Sequence, residues 1–240
     1  MERNDMTISI KALAFDTGGT ILDWHSGISR ALEEVGRKYG VSADWGAITN
    51  EYRIRSLQTM LDALGPRFNI DDVHRSLLDT ILREKKLDAL SAEDREYIWR
   101  TWHRLDAWPD FPAALQRLRT RYVVVSFTIL STSLVIDVSR LNGLNWDAVI
   151  SCEMFGVYKT RPEAYRTAAK LLALPPDQIL MVACHNLDLT AARKEGYGTA
   201  FVHRPDQWGS GGAPFPEPPP DPAVDMVVDT FEELAGKLGC

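Results

Sequence analysis

The chain has 240 residues, with 27 Lys plus Arg against 33 Asp plus Glu and a formal net charge of −6. This length holds one large domain, or a core with a smaller companion, and a mildly acidic chain without a long basic run argues against nucleic acid as a partner. The longest apolar run, around Tyr122 to Leu130, is far too short to span a membrane, so no membrane partner is expected. Cys152, Cys184 and Cys240 make no disulfide framework, and the first five residues lack a signal-peptide pattern, so the expected compartment is the cytoplasm.

The first structured stretch is Ala12-Leu13-Ala14-Phe15-Asp16-Thr17-Gly18-Gly19-Thr20. A short apolar run ending in a carboxylate and two glycines reads as a buried parallel strand followed by a tight turn. Helical spacing follows: Ile28, Ala31, Leu32, Val35 and Tyr39, stopped by Gly40; then Tyr52, Leu57, Met60, Leu61 and Leu64, stopped by Gly65-Pro66; then Val73 to Leu82. A fourth helix opens at Ser91, with Asp94 in the capping-box position. Beyond Pro109 and Pro112 strands and helices alternate, with strands at Tyr122–Phe127, Ala148–Ile150, Ile179–Ala183, Thr199–Val202 and Met226–Val228. The Gly- and Pro-rich stretch from Gly209 to Pro222 reads as a surface loop.

This alternation predicts an α/β fold, a Rossmann-like doubly wound parallel sheet formed by residues 1–22 and 111–240. Residues 23–110 form a helical cap inserted after the first strand. In such sheets ligands bind beyond the carboxyl ends of the strands. Asp16, Thr128, Lys159 and Asp188 all fall there. Singly each has an ordinary explanation: Asp16 or Asp188 as a helix cap, Lys159 as a solvated lysine. Jointly they form a polar constellation in which Lys159 keeps Asp16 ionised and Asp188 holds Lys159 or accepts a proton.

Phe15-Asp16-Thr17-Gly18-Gly19-Thr20 resembles the first motif of the haloacid dehalogenase (HAD) superfamily. Tyr158-Lys159-Thr160-Arg161-Pro162-Glu163-Ala164-Tyr165 is similar to the lysine motif of its L-2-haloacid dehalogenase branch, and Met181 to Asp188 to the fourth motif. The resemblance implies a hydrolase in which Asp16 attacks an electrophilic carbon to give an ester that water then hydrolyses. It implies catalytic roles for Asp16, Thr20, Thr128, Lys159 and Asp188. It also implies substrate contacts from Thr17, Gly18, Trp24, Arg53, Ile129, Tyr165 and His185. Arg53 matches a cap arginine that meets the leaving group or the substrate carboxylate. The implied partner is a small 2-substituted carboxylic acid, with a homodimer left open.

Departures from the pattern matter. The acid that phosphatases of the superfamily carry two positions after the nucleophile is Gly18 here, and His185 stands in the first acidic place of the fourth motif. No metal and no other cofactor are therefore expected, since Mg²⁺ wants oxygen ligands. Ile129 stands where related dehalogenases carry an asparagine that donates toward the halide, so slow release from simple 2-haloacids is expected. Hydrolytic opening of a strained cyclic amino acid such as azetidine-2-carboxylate, an Mg²⁺-dependent phosphatase and an inactive HAD fold used for binding are the alternatives. His185 orients Asp16 or acts as a base, against a plain structural role. Strand alternation is expected to point Cys184 and His185 to opposite faces, leaving Cys184 in the core. Trp24 lines the pocket or packs the hinge.

Overall fold

The computed structural model describes residues 10–62, 69–87 and 89–240. The expected stop at Gly65-Pro66, Leu64 and the first five residues lie outside them. Six strands form one parallel sheet: β1 (Ala12–Phe15), β2 (Val123–Thr128), β3 (Ala148–Ser151), β4 (Ile179–Ala183), β5 (Gly198–Val202) and β6 (Met226–Val228), in the order β3-β2-β1-β4-β5-β6. The order runs outward from β1 to one side and then restarts with β4 on the other. The β1–β4 boundary is thus the switch point, where such sheets open a crevice at their carboxyl ends. The Asp16 amide donates to Val182 O at 2.9 Å, which fixes Asp16 at that boundary.

Alternation along β1 sorts the core into two layers. Leu13 and Phe15 face one cluster, where Phe15 meets Phe111 and Phe231 edge-on, with ring centroids 5.5 and 5.9 Å apart. Ala12 and Ala14 face the other, beneath Ala164, Tyr165 and Ala168 of α7 (Pro162–Leu172). Small residues there let the helix approach the sheet closely. α5 (Phe111–Arg119), α6 (Thr132–Asn142), α8 (Asn186–Lys194) and α9 (Phe231–Lys237) complete the layers.

Between β1 and α5 run α1 (Trp24–Lys38), α2 (Trp45–Asp62), α3 (Ile70–Glu84) and α4 (Ala92–Arg100), then a 3₁₀ turn over Thr101–Arg104. Local chemistry sets their ends. Asp23 accepts the Ser26 amide at 3.0 Å, and Ser91 accepts the Asp94 amide at 3.1 Å while donating its hydroxyl to the Asp94 carboxylate at 2.8 Å. α3 starts three residues before the expected Val73, because Asn69 caps it through the Asp71 amide at 2.7 Å. Entry and exit of the insertion are stitched together: Asp23 N to Asp106 O at 3.0 Å and Trp108 N to Ile21 O at 2.8 Å. No helix among the described residues is long and apolar enough to cross a membrane.

A largely buried ion pair ties this junction to the C-terminal helix. Arg204 donates to both Asp110 oxygens at 3.0 and 2.9 Å and to Thr20 O at 3.0 Å, while the same Asp110 caps α9 through the Phe231 amide at 2.9 Å. The two side chains are only 8% and 17% exposed, so removing one strands the other in a poorly solvated position. Asp110→Ala is expected to lower unfolding stability by about 3–5 kcal/mol, read from urea denaturation, and Asp110→Asn by clearly less.

Candidate active site

Asp16 directly follows β1, and the turn behind it together with the segments after β3 and β4 supplies the groups that hold the carboxylate. Lys159 Nζ lies 3.3 Å from Asp16 Oδ1 and 2.8 Å from Asp188 Oδ2. Thr20 Oγ1 donates to Asp16 Oδ2 at 2.7 Å, and His185 Nδ1 stands 3.1 Å from the same oxygen. Among the described residues Oδ2 thus has two close partners and Oδ1 one, more distant. Burial alone raises the Asp16 carboxyl, but the Lys159 ammonium and the His185 and Thr20 hydrogen bonds outweigh it and hold it far below the usual carboxylate range. Burial works against the Lys159 ammonium too, yet Asp188 and Asp16 keep it charged above its ordinary value. For Asp188, burial and the charge of Asp16 win over Lys159 and raise its pKa. Two carboxylates a few ångströms apart are therefore driven in opposite directions, one toward a permanent anion and one toward a proton acceptor.

Arg53 reaches over this site from α2. Its guanidinium lies 5.7 Å from the Trp24 ring and 5.6 Å from the Trp102 ring, and a Cβ on Gly18 would stand only 3.0 Å from its Nη2. The residue is 4% exposed, and Nη1 has no hydrogen-bond partner among the described residues. Burial lowers its pKa to about 10, with the Asp16 charge opposing, so it is a cation at neutral pH. A cavity of about 640 Å³ opens between Trp24 and Arg53 on one side and Cys184, His185, Gln207 and Trp208 on the other, walled by the 215–220 segment. A buried guanidinium with an unpartnered nitrogen on a largely apolar cavity suits a small anion.

The structure brings together Asp16, Thr20, Lys159, Asp188 and His185, with Arg53, Trp24 and Gly18 above them. Tyr165 is fully buried and donates its hydroxyl to Asp188 Oδ1 at 2.6 Å, so it braces that carboxylate from behind. The Thr17 hydroxyl pairs with Ser126 at 2.8 Å. The Thr128 hydroxyl accepts the Leu130 amide at 3.1 Å, shaping the turn after β2. Ile129 packs against the sheet core and is not among the cavity-lining residues. The expectation for Cys184 and His185 needs correction: Cys184 Sγ lies 3.5 Å from His185 Nε2. Strand alternation does not apply, because β4 stops at Ala183 and His185 is already the cap position of α8.

Sequence reading missed Gln207, Trp102, Ser126 and the wall formed by residues 215–220. The Gly- and Pro-rich loop is pinned to the site through Asn186, whose Nδ2 donates to Pro219 O at 2.8 Å. Only its direct sequel to a strand, from His203 onward, hinted at proximity to the carboxyl ends of the sheet.

The donor set fits a divalent metal poorly. The Lys159 ammonium already sits between the two carboxylates, both Asp188 oxygens are engaged by Lys159 and Tyr165, and position 185 offers an imidazole instead of a carboxylate. Among the described residues no three His, Cys, Asp or Glu side chains are grouped to hold an ion.

A family model for haloacid dehalogenase-like hydrolases matches residues 10–195. An (S)-2-haloacid dehalogenase of Pseudomonas sp. (strain YL) is 30% identical over 238 residues, covering 95% of this chain and 97% of that protein. The (S)-2-haloacid dehalogenase 4A of Burkholderia cepacia is 28% identical, covering 83% and 85%. The crystal structure of a defluorinating L-2-haloacid dehalogenase superposes with a TM-score of 0.87 at 30% identity, covering 96% of both chains. With the sheet order and the strand-end carboxylate already in place, these matches make the chain a hydrolase that belongs to the haloacid dehalogenase-like family.

Proposed function

We propose that this enzyme displaces the substituent from C2 of a small 2-substituted carboxylic acid, in the manner of an (S)-2-haloacid dehalogenase and without a metal ion. The observation that carries this reading is the Asp16 carboxylate, held by the Lys159 ammonium, beneath a buried guanidinium with an unpaired nitrogen. Asp16 attacks C2, an ester forms and the substituent leaves with the bonding pair. Arg53 receives the anion. Asp188, with its raised pKa, takes the proton of the water that hydrolyses the ester, and Lys159 keeps Asp16 and Asp188 aligned between turnovers. The inserted helices act as a cap that excludes bulk water and strengthens each charge interaction within. The partner is a small molecule.

Three outcomes test this with 2-chloropropionate, scoring chloride, and with phosphate esters and azetidine-2-carboxylate as controls. Asp16→Asn should lower chloride release by at least about 1,000-fold, because an amide is a poor nucleophile and a nucleophile acts with its neighbours as a unit. Arg53→Ala should lower kcat/KM by about 10–150-fold, the range for losing one charge-directed hydrogen bond. Exhaustive chelation should leave the rate unchanged. Loss on EDTA with rescue by Mg²⁺, together with phosphate release, would overturn the reading.

A further inference from the structure

His185 is the group at the site that simple anion displacement does not require, and its surroundings fix its protonation through hydrogen bonding alone. Glu217 Oε1 receives two contacts: Trp208 Nε1–H at 2.9 Å and Gln207 Nε2 at 3.2 Å. An indole only donates, so this oxygen is an acceptor, and the Gln207 amide must therefore turn its NH₂ toward Glu217. That leaves Gln207 Oε1 facing His185 Nε2 at 3.1 Å. Two acceptors cannot meet at that distance, so Nε2 carries hydrogen. On the opposite side of the ring, Nδ1 faces Asp16 Oδ2 at 3.1 Å, an oxygen that already accepts the Thr20 hydroxyl, and carries hydrogen for the same reason. Gln207 is 4% exposed and packed on the first motif, since a Cβ on Gly19, whose φ is +91°, would fall 2.8 Å from Gln207 Oε1.

Resting on the displacement reaction proposed above, we infer that Glu217 and Gln207 hold His185 as an imidazolium whose Nδ1–H, with the Thr20 hydroxyl, forms the oxyanion site for hydrolysis of the Asp16 ester. His185 stands on the nucleophile's side of the reacting carbon. An in-line leaving group departs from the opposite side, which excludes His185 as its acid. Oδ2 is engaged by Thr20 and His185, so the freer Oδ1 forms the bond to C2 and Oδ2 becomes the ester carbonyl oxygen. Water oxygen then bonds to Cγ, its proton passes to Asp188, and the carbonyl pair moves onto Oδ2, where the two donors already point. Collapse restores the carbonyl and breaks the Cγ–Oδ1 bond. The proton held by Asp188 passes to the departing oxygen, giving the 2-hydroxy acid, and the second water proton, left on the new Cγ–OH, is lost to solvent, balancing the released halide and restoring the Asp16 carboxylate. Thr20 is free to donate because its own oxygen accepts the Cys184 amide at 3.1 Å. His185 touches the reacting carboxylate and is catalytic on this account; Gln207 and Glu217 are positioning residues.

The test separates the two half-reactions. Rapid-quench mixing of His185→Ala with 2-chloropropionate should show a chloride burst close to one per site, steady turnover about 100-fold slower than wild type, and ester accumulating on Asp16 by intact-protein mass spectrometry. His185→Asn, which keeps one donor, should restore part of the turnover. Gln207→Leu should show the same burst and ester with a milder loss in kcat, KM falling with it so that kcat/KM changes little. Loss of the burst along with turnover in both His185 variants, or unchanged turnover, would overturn the inference. ¹⁵N NMR of His185 provides an arm independent of substrate: both ring nitrogens should be protonated at neutral pH in the wild type, and a neutral ring would overturn it. Wild-type enzyme that releases no chloride while His185 reads as imidazolium would instead count against the displacement reaction alone.

Discussion

The Lys159 ammonium, wedged between Asp16 and Asp188, is the interaction on which the site depends. Without it two carboxylates would share a buried space and one would take up a proton. With it Asp16 stays ionised while Asp188, also gripped by Tyr165, lies on the basic side of the pair. The fold makes this arrangement from three separate strand ends: Asp16 follows β1, Lys159 follows β3 after a short loop, and Asp188 opens α8 behind β4. Phe127 completes the wedge, with the ammonium 4.5 Å from its ring centroid, so the lysine is confined on its apolar side as well.

Above the carboxylates the inserted helices solve a different problem, that of keeping a guanidinium nearly out of water. Arg53 lies against Trp24 and Trp102. Behind Trp102 the His74 ring stacks at 4.0 Å with an interplanar angle of 6°. His74 is fully buried, neither of its nitrogens has a partner among the described residues, and burial together with the Arg53 charge pushes its pKa well below the ordinary value. A neutral histidine is thus stacked where a second cation would weaken Arg53. The aromatic layer gives the arginine contact without neutralising it, which leaves its charge for an anion in the cavity.

Much of this was legible in the sequence because it depends on backbone order. Short apolar runs ending in Asp16 or Thr128, and glycines closing helices, report strands and caps directly, and parallel connections then place the strand ends together. What escaped depends on packing between distant segments. Nothing local in Gln207 or Trp102 says that one will face His185 and the other Arg53. The geometry of Cys184 and His185 was misread because the period of a strand was carried two residues past its end. The Gly- and Pro-rich loop looked like mere connection, yet Asn186 and Glu217 fasten it over the cavity.

The proposed reaction requires a covalent bond between Asp16 and the substrate. Multiple turnovers of 2-chloropropionate in ¹⁸O-water, followed by peptide mass spectrometry, test it most directly. An ester hydrolysed at Cγ leaves label in the Asp16 carboxylate, and the product's new oxygen comes from Asp16. Label confined to the 2-hydroxy acid from the first turnover, with the Asp16 peptide unlabelled, would mean that water attacks C2 itself and that no Asp16 ester forms.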